Sequence, residues 1–505
     1  MLAKIASARI DGYIGKQIIV ECDITNGLPG IKIVGLGSKA IDESRERIKA
    51  AIRHSQLNLP AKKITLNLAP ANTPKDGTHF DLPMAVAILV ASHQIEASRI
   101  KEISFIGELG LDGKLRDSPG IISLVHGAKT AGKKAVVIPI SNLEEAQLVD
   151  GIDIVPATSL EEVYRHLIDE VEIKRPSDRK ITSLTDVNDP HNNDFCYVYG
   201  NKHAKRAIEI AASGGHNVLM NGPPGTGKTM LARAMQTILP ELTPDELFEI
   251  TALHSVANKL DSISAERPFR SPHHTASTIS LIGGGANPKP GEVSLSTHGV
   301  LFLDELPEFP RHFIESLRQP LEDGYVTVAR SRGSVSFPAK FILVATRNPC
   351  PCGYYGDQKK PCSCTTQQIL NYQKKISGPL MDRIDMVIDI PRFDTSIMVD
   401  GKKSSSERSS KIRKRVKAAR SIQNKRFGSS LKTNAQISHS EIEVHCKLDQ
   451  PSREIMNTAL KKLDLSPRSF NRVLKVARTI ADLDGSESIK SNHLAESLQY
   501  RAARV

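Results

Sequence analysis

The chain has 505 residues, too long for one hydrophobic core, and its length predicts about three domains. No run of apolar residues is long enough to span a membrane and the start lacks the apolar stretch of a secretion signal, so the sequence predicts a soluble cytoplasmic protein. Seven cysteines, an odd number with four of them between residues 350 and 364, argue against a secreted disulfide framework.

The net charge of +12 is concentrated in one stretch. Residues 401–426 contain eleven lysines and arginines against a single acidic residue, Glu407. This density of positive charge favours a polyanionic partner such as DNA. The alternative, a solvated helix face or a disordered loop, stays open at this point. The candidate DNA contacts in the stretch are Lys411, Arg413, Lys414 and Arg415.

Residues 1–165 alternate short β-rich runs with helical patterns, which predicts an α/β domain. The predicted strands include residues 18–21, 31–34, 64–68 and 135–138, and the predicted helices include 41–52 and 82–91. Residues 166–194 are polar and lose the apolar periodicity, which predicts a linker.

Residues 195–392 contain apolar runs at the spacing of an open parallel α/β sheet. These runs are 218–220, 300–303, 341–345 and 386–390, with helices such as 311–322 between them. The basic segment, 393–435, follows. Helical patterns at 442–448, 453–463, 467–483 and 492–501 then predict a small helical domain over residues 436–505.

A glycine-rich segment follows the apolar run 218–220 and leads into a helical pattern. Its glycines let successive backbone N–H groups face one concavity, and the positive end of the next helix points to the same place, so a triphosphate fits there. Lys228 would reach the β- and γ-phosphates, and Thr229 would hold Mg²⁺. The sequence therefore predicts binding of ATP or a close relative. The predicted nucleotide contacts are Gly222, Pro223, Gly225, Thr226, Gly227, Lys228, Thr229 and Met230.

Two acidic residues end the apolar run 300–303. Asp304 would complete the Mg²⁺ shell and Glu305 would polarise the attacking water. An apolar run that ends in two acids is often only a strand end, but a preceding phosphate loop makes it the expected partner. Asn348 follows the next apolar run and is predicted to orient the same water; the alternative is an Asn that begins a turn before Pro349.

Long segments spread over nearly the whole chain carry a family resemblance. They include Ala211-Ala-Ser-Gly-Gly-His-Asn217, Ser271-Pro-His-His-Thr275, Phe302-Leu-Asp-Glu-Leu-Pro-Glu-Phe309 and Ser377-Gly-Pro-Leu-Met-Asp-Arg-Ile-Asp385. In these segments the chain resembles the ComM/YifB family of magnesium-chelatase-like AAA+ proteins. The resemblance implies a hexameric ring that binds ATP at its subunit interfaces and remodels DNA, by branch migration of recombination intermediates during natural transformation.

Two arginines receive roles only from this resemblance. Arg383 matches the family's candidate arginine finger, which reaches the γ-phosphate of a neighbouring subunit, and Arg468 matches the second nucleotide sensor at a helix start. From the residues alone, either is more often a surface arginine in a salt bridge. One departure concerns Asn348: Thr346 and Arg347 precede it where small or apolar residues are more usual, which weakens its assignment.

Four cysteines form two C-x-C pairs on a loop rich in Gly and Pro. Four thiolates can close a tetrahedral Zn²⁺ site, which would hold a loop that has no core of its own. Free thiols and a redox pair are the alternatives. The candidate zinc ligands are Cys350, Cys352, Cys362 and Cys364.

Two insertions are candidate DNA-binding elements. Residues 325–337 predict a β-hairpin with Arg330 and Arg332 at its tip, and residues 281–287 with Lys289 form a second insert. Phosphate contacts from such tips give affinity without sequence preference. The alternative is a pair of hairpins that only pack subunits together.

The N-terminal domain resembles the peptidase fold of Lon in Thr73-Pro-Lys-Asp-Gly77 and Ile106-Gly-Glu-Leu-Gly-Leu-Asp-Gly-Lys-Leu115. Cleavage by that fold needs a hydroxyl nucleophile with a lysine base in reach. Thr78-His79-Phe80-Asp81 stands where the nucleophile is expected, and Pro119-Gly-Ile-Ile122 where the lysine is expected. Since neither partner is evident, we expect a scaffold that does not cleave proteins.

The leading hypothesis is an ATP- and Mg²⁺-dependent DNA-remodelling motor, a branch-migration helicase that assembles as a hexameric ring on branched or single-stranded DNA. A protein-unfolding or protease-associated ATPase is the first alternative, and it needs the missing dyad or a protease partner. A magnesium-chelatase-type ATPase is the second, and it is not expected to carry the Lon-like domain or the basic segment.

Overall fold

The computed structural model describes residues 2–35, 39–73, 75–174, 193–260, 262–285, 288–330, 333–357, 359–392, 407–463 and 465–501. The chain divides into two compact units, one made of Met1–Leu184 and Leu247–Ile263 and the other of Thr185–Glu246 and Ser264–Val505. Among the helices of the described ranges, none has the length and apolar character needed to cross a membrane.

The first unit is built on a mixed seven-stranded sheet. The strands of this unit are β1 (Ala3–Asp11), β2 (Ile14–Thr25), β3 (Gly30–Val34), β4 (Lys63–Ala69), β5 (Ile103–Phe105), β6 (Glu108–Leu109), β7 (Leu115–Arg116), β8 (Ala135–Pro139) and β9 (Asp153–Ala157). The order across the sheet is β3-β4-β2-β1-β5-β8-β9, and β6 and β7 form a separate hairpin. Strand β2 runs antiparallel to β1 and β4, whereas the other neighbouring pairs are parallel.

Helices cover both faces of this sheet, which confirms the predicted α/β domain. The helices are Lys39–His54, Asp81–Ala91, Ile121–Thr130, Leu143–Ala146 and Leu160–Leu167, with a 3₁₀ turn at Ile140–Asn142. Every residue of Asp81–Ala91 is buried, as expected for a helix that is apolar on nearly all sides. On β8, Val137 points into the core around this helix, and its neighbour Val136 points into a second core around Ile121–Thr130.

The second unit contains a five-stranded sheet in which all strands are parallel. Its strands are β10 (Val218–Asn221), β11 (Phe269–Arg270), β14 (Val300–Leu303), β17 (Ile342–Arg347) and β18 (Met386–Asp389). Two hairpins stand apart from it: β12 (Gly283–Gly284) with β13 (Lys289–Pro290), and β15 (Tyr325–Arg330) with β16 (Gly333–Pro338). The sheet order is β11-β14-β17-β10-β18. Because carboxyl ends of parallel strands meet at one edge, the segments after β10, β14 and β17 come together there.

The remaining helices include the predicted ones, with shifted bounds, and others for which the sequence analysis predicted no bounds. They are Lys202–Gly214, Lys228–Ile238, Pro244–Val256, Thr278–Ile282, Glu292–Leu295, Arg311–Ser316, Arg318–Asp323, Thr366–Gln373, Gly378–Met381, Ser409–Phe427, His439–His445, Gln450–Leu463, Pro467–Leu483 and Ser491–Leu498, with 3₁₀ turns at Phe195–Tyr197, Leu306–Glu308 and Asn434–Gln436. The single helix predicted over 311–322 is two helices, because Pro320 has no N–H to donate to the carbonyl of Ser316.

The predicted C-terminal helices form around their own core, and Pro467–Leu483 joins that core to the parallel sheet. Val476 and Ile480 pack in the core beside β10, whereas Val473 and Leu474 pack among the C-terminal helices. The first of these helices begins earlier than predicted, since Ser438 caps it by accepting a hydrogen bond from the N–H of Glu441.

The basic segment contains the helix Ser409–Phe427, which packs against the core of the second unit through Ile412 and Val416. Several of its arginines bind other parts of that unit: Arg413 donates to the carbonyl of Thr237 at 2.8 Å, Arg415 to Glu209 and Glu407, Arg420 to the carbonyl of Ala212, and Arg426 to Asp482. Much of the positive charge of residues 407–427 therefore stabilises the fold. Residues 393–406 lie outside the described residues.

The pair Arg426–Asp482 yields a stability prediction. The Asp482 carboxylate is 0% exposed, so Arg426→Ala leaves a buried charge short of a partner and should cost about 3 kcal/mol of unfolding free energy. Lys425→Ala removes the same charge from the exposed side of the helix and should cost less than about 0.5 kcal/mol. Urea unfolding of the two variants measures the difference; equal midpoints would contradict the structural role of the helix.

Candidate nucleotide site at the carboxyl edge of the parallel sheet

The predicted phosphate loop lies between β10 and the helix Lys228–Ile238, as the sequence indicated. A side chain at Gly222 would place its Cβ 2.3 Å from the carbonyl oxygen of Ile390, so only glycine fits. Gly225 and Gly227 have φ values of 77° and 81°, in the left-handed region that glycine tolerates. Thr226 is buried and donates to the carbonyl of Pro223 at 3.0 Å. The loop is thus a fixed turn that ends at a helix N-terminus. The two residues after Lys228, Thr229 and Met230, are exposed at its mouth.

Lys228 is held beneath this loop. Its ammonium donates to the carbonyls of Gly222 at 2.6 Å and Pro223 at 2.8 Å, and to the side-chain oxygen of Asn348 at 3.3 Å. Burial lowers the pKa of Lys228, and the carboxylates of Asp304 and Glu305 oppose that shift. These hydrogen bonds place the positive charge among the loop carbonyls and next to the acidic pair.

Asp304 and Thr229, the predicted Mg²⁺ ligands, lie next to each other. The Thr229 hydroxyl donates to Asp304 Oδ2 at 3.4 Å, and the Thr346 hydroxyl donates to Asp304 Oδ1 at 2.6 Å. Two oxygens on adjacent positions of an octahedral Mg²⁺ shell lie about 3 Å apart, since each is about 2.1 Å from the ion. The hydroxyl of Thr229 and the carboxylate of Asp304 therefore fit Mg²⁺ in chemistry and spacing.

Asn348 connects the lysine to the second acidic residue. Its amide nitrogen donates to Glu305 Oε1 at 3.2 Å, while its amide oxygen accepts from Lys228. Glu305 has a left-handed backbone, φ 53°, which is uncommon for a residue with a side chain and is typical of functional sites. The side chain of Glu305 is exposed, so a water molecule can reach it. The strand pairing of β14 with β17 brings these groups together.

Thr346 is a site residue that the sequence reasoning did not assign. Its hydroxyl donates to Asp304 and accepts from the backbone N–H of Glu305 at 2.8 Å, and its side chain is completely buried. One hydroxyl thus fixes both acidic residues. The sequence did carry a signal, because a polar residue at the end of an apolar strand had stood out as a departure from the usual family pattern.

The two predicted arginines lie elsewhere in the second unit, beside Glu322. Arg383 forms an ion pair with Glu322 and donates to the carbonyl of Pro379 at 2.8 Å, and Arg468 lies 3.9 Å from the same carboxylate. The structure therefore brings the two arginines together at Glu322, and among the described residues neither arginine forms an ion pair with Asp304 or Glu305.

The four cysteines of residues 350–364 come together, with all four sulfurs within 4.8 Å of one another. The Sγ of Cys350 lies 3.3 Å from that of Cys352 and 3.7 Å from that of Cys362, and Cys352 and Cys362 are 3.6 Å apart. Sulfurs bound to one Zn²⁺ at about 2.3 Å lie about 3.8 Å apart. Backbone N–H groups also point at the sulfurs, from Tyr355 to Cys350 and from Cys364 to Cys362.

These thiols differ in how readily they ionise. Hydrogen bonds from the backbone of Tyr354 and Ser363 lower the pKa of Cys352 to about 5. The backbone N–H of Cys364 lowers the pKa of Cys362, but burial and the neighbouring sulfurs outweigh it and raise that pKa to about 12. Like charges this close oppose one another, so the four thiols can all ionise only around a bound cation. The sulfur positions and the N–H donors fit Zn²⁺.

The candidate DNA contacts fall into three groups. Lys289 on β13, Lys411 and Lys414 are exposed. Arg413 and Arg415 are engaged within the second unit, as described above. Arg332 lies outside the described residues, and of Arg330 only the backbone on β15 is described, where it pairs with Gly333 in the predicted hairpin. Contact of any of these residues with DNA stays a prediction.

In the first unit, the region that resembles Lon has no hydroxyl–lysine pair among its described residues. The Thr78 hydroxyl donates to the carboxylate of Glu108, and the Lys75 ammonium donates to the carbonyl of Pro70. Asp81 is buried and bound by Arg47. These contacts pair Thr78 and Lys75 with other groups; a scaffold that does not cleave proteins stays a prediction.

A parallel sheet with a phosphate loop on one strand, an acidic pair on another and an Asn at the tip of the strand between them defines a P-loop ATPase of the AAA+ class, with ATP and Mg²⁺ as its cofactors. Three family descriptions match the chain: "Magnesium chelatase, subunit ChlI" over residues 194–398, "Subunit ChlI of Mg-chelatase" over 20–142, and "Magnesium chelatase, subunit ChlI C-terminal" over 406–501.

Similarity to known proteins extends over the full length. The chain is 42% identical to Competence protein ComM of Haemophilus influenzae, over 99% of this chain and 97% of that protein. It is 43% identical to the uncharacterized protein YifB of Escherichia coli, over 97% and 95%. Lon protease 2 of Bacillus subtilis is 27% identical over 30% of this chain and 28% of its own length. The chain belongs to the ComM/YifB family of magnesium-chelatase-like AAA+ ATPases.

The contacts of Thr346 predict its effect on turnover. Thr346→Val keeps the shape but removes a hydrogen bond to a charged acceptor, worth about 1.5–3 kcal/mol, so kcat for ATP hydrolysis should fall about tenfold or more. Thr346→Ser keeps the hydroxyl and should restore turnover. Because Thr346 acts through Asp304 and Glu305, KM for ATP should change less than kcat. Equal rates for the Val and Ser variants would rule out this positioning role.

Proposed function

We propose that the chain is an ATP-driven motor that assembles as a hexameric ring and moves branched or single-stranded DNA, as a branch-migration helicase in recombination and natural transformation. The observation that carries the proposal is the division of the site: Lys228, Thr229, Asp304, Glu305 and Asn348 are joined at one sheet edge, whereas Arg383 and Arg468 lie beside Glu322. We infer from this separation and from the family resemblance that Arg383 completes the site of a neighbouring subunit.

The chemistry follows from the positions of the side chains. The loop N–H groups and Lys228 would bind the β- and γ-phosphates. Thr229 and Asp304 would hold Mg²⁺, which would neutralise part of the phosphate charge. Glu305 and Asn348 orient the attacking water, since phosphoryl transfer depends on positioning and charge more than on covalent chemistry. Arg383 of the neighbouring copy stabilises the charge that develops on the terminal phosphate.

Several observations favour DNA as the moving partner. A relative with 42% identity is named for competence, and the family resemblance implies branch migration. The net charge of +12 favours a polyanion, and Lys289, Lys411 and Lys414 are exposed and positive. Since contacts of this kind go to phosphates, binding should not depend on base sequence and should weaken as salt rises.

The alternatives find less support. A protease needs a hydroxyl nucleophile beside a lysine, and Thr78 is hydrogen-bonded to Glu108 instead. A magnesium chelatase subunit is less supported because Magnesium-chelatase subunit ChlI of Porphyra purpurea is 29% identical over only 31% of this chain, whereas Competence protein ComM is similar over 99% of it. We therefore take the first unit as a scaffold of the motor.

We also infer that Cys350, Cys352, Cys362 and Cys364 bind one structural Zn²⁺. The described part of the loop that carries them has no helix or strand between Cys350 and Cys364, so no regular secondary structure holds it in place. A metal with four thiolate ligands is closed to substrate and supplies folding energy rather than chemistry.

The motor is tested with a labelled four-way DNA junction and a pair of matched variants. Glu305→Gln removes the group that polarises water and should lower ATP hydrolysis and junction migration by about a hundredfold or more. Glu308→Gln removes the same charge from an exposed side chain paired with Lys375 and should retain most of both activities. ATP hydrolysis without any junction binding would refute DNA as the partner; casein cleavage abolished by Thr78→Ala would instead support a protease.

The division of the site predicts complementation between two inactive variants. Lys228→Ala lacks the phosphate-binding lysine and Arg383→Ala lacks the arginine, so each pure protein should lose ATP hydrolysis. In mixed rings, an Arg383→Ala subunit keeps its phosphate loop and receives the arginine of a Lys228→Ala neighbour. Mixing should therefore restore a fraction of the activity. If Arg383 acted within its own chain, the mixture would stay as inactive as its components.

A further inference from the structure

The cysteine loop begins beside the nucleotide site. Asn348, which bridges Lys228 and Glu305, is separated from the buried Cys350 by Pro349 alone. A short path through the backbone therefore connects a zinc ligand to a side chain that contacts both the phosphate-binding lysine and the acidic pair.

The inner turn of the loop also contacts the phosphate loop directly. Gly353 is buried, has φ 83°, and donates its N–H to the carbonyl of Cys350 at 3.0 Å. A Cβ added at Gly353 would lie 2.7 Å from Cδ of Pro224 and 4.0 Å from Cγ of Asn348. The backbone of the cysteine loop thus packs against the phosphate loop without space for one additional carbon.

The middle of the loop contacts the segment that follows β18. Arg392, which follows β18, lies 3.2 Å from the carboxylate of Asp357 and 5.6 Å from the ring centre of Tyr354. The helix after the last cysteine also contacts the start of the loop, since Gln373 donates to the carbonyl of Pro349 at 3.5 Å. These contacts hold the middle of the loop, at Tyr354 and Asp357, and the residue before its first cysteine, Pro349.

We propose that the four-cysteine loop, closed by Zn²⁺, is a brace that holds Asn348 and the phosphate loop in their binding geometry, so that zinc and nucleotide each strengthen the binding of the other. The proposal rests on the proposed zinc site and on ATP binding at the phosphate loop. Coupling of two binding equilibria is reciprocal, so both directions can be measured.

Two glycines of the same loop provide a matched pair of variants. Gly353 and Gly356 both have a left-handed backbone, with φ 83° and 79°, so alanine imposes a similar backbone cost at each. They differ in surroundings, because a Cβ at Gly356 meets nothing within 4 Å whereas one at Gly353 meets Pro224. Neither residue is a candidate zinc ligand.

The experiment first establishes that the wild-type chain contains one zinc per chain and binds a fluorescent ATP analogue with Mg²⁺. Gly353→Ala should keep its zinc but bind the analogue at least tenfold more weakly, while Gly356→Ala should match wild type in both. In the wild-type protein, ATP with Mg²⁺ should slow the release of zinc to a chelator severalfold, a measurement that needs no variant.

The possible outcomes distinguish a failure of the proposed brace from a failure of the proposed function. Wild type that binds nucleotide but contains no zinc, or releases zinc at the same rate with and without ATP, overturns the brace and leaves the ATPase intact. Equal nucleotide affinity in the two glycine variants overturns it as well. Wild type that holds zinc but binds no nucleotide contradicts the proposed function itself.

Discussion

The parallel arrangement of five strands is the constraint on which the nucleotide site depends. It brings the carboxyl ends of β10, β14 and β17 to one edge, so that segments far apart in the chain meet there. Hydrogen bonds then fix the side chains: Thr346 holds Asp304 and the backbone of Glu305, and Asn348 spans Glu305 and Lys228. Without the pairing of β17 with both β14 and β10, none of these contacts forms.

The sequence predicted much of this arrangement because the relevant signals are local. Apolar runs locate the buried strands, and a glycine-rich turn before a helix locates the phosphate loop. The role of Thr346 is not visible in the sequence, because it depends on two acidic residues that approach it only across strands. Helix bounds shifted for similarly local reasons, such as the missing N–H of Pro320, which a hydrophobic pattern does not report.

Charge was harder to interpret from sequence, because a formal charge does not reveal its partners. Arg415 and Arg426 belong to the most basic stretch of the chain, yet they bind Glu209 and Asp482 within the second unit. Lys411 and Lys414 of the same helix are instead exposed. The cysteines are the opposite case: their spacing suggested a common site, and the fold brings all four sulfurs together beside the phosphate loop. One acid, Glu322, likewise contacts the two arginines whose roles only the family suggested.

The central proposal is that each nucleotide lies between two subunits of a ring and that the subunits act together on DNA. Electron cryomicroscopy of the full chain with a non-hydrolysable ATP analogue, Mg²⁺ and forked DNA tests that claim most directly. The account predicts a closed ring, with the analogue on the phosphate loop of one subunit, the Arg383 side chain of its neighbour at the terminal phosphate, and DNA in the central channel. Single subunits, or rings in which Arg383 points away from the analogue and DNA is absent, would contradict it.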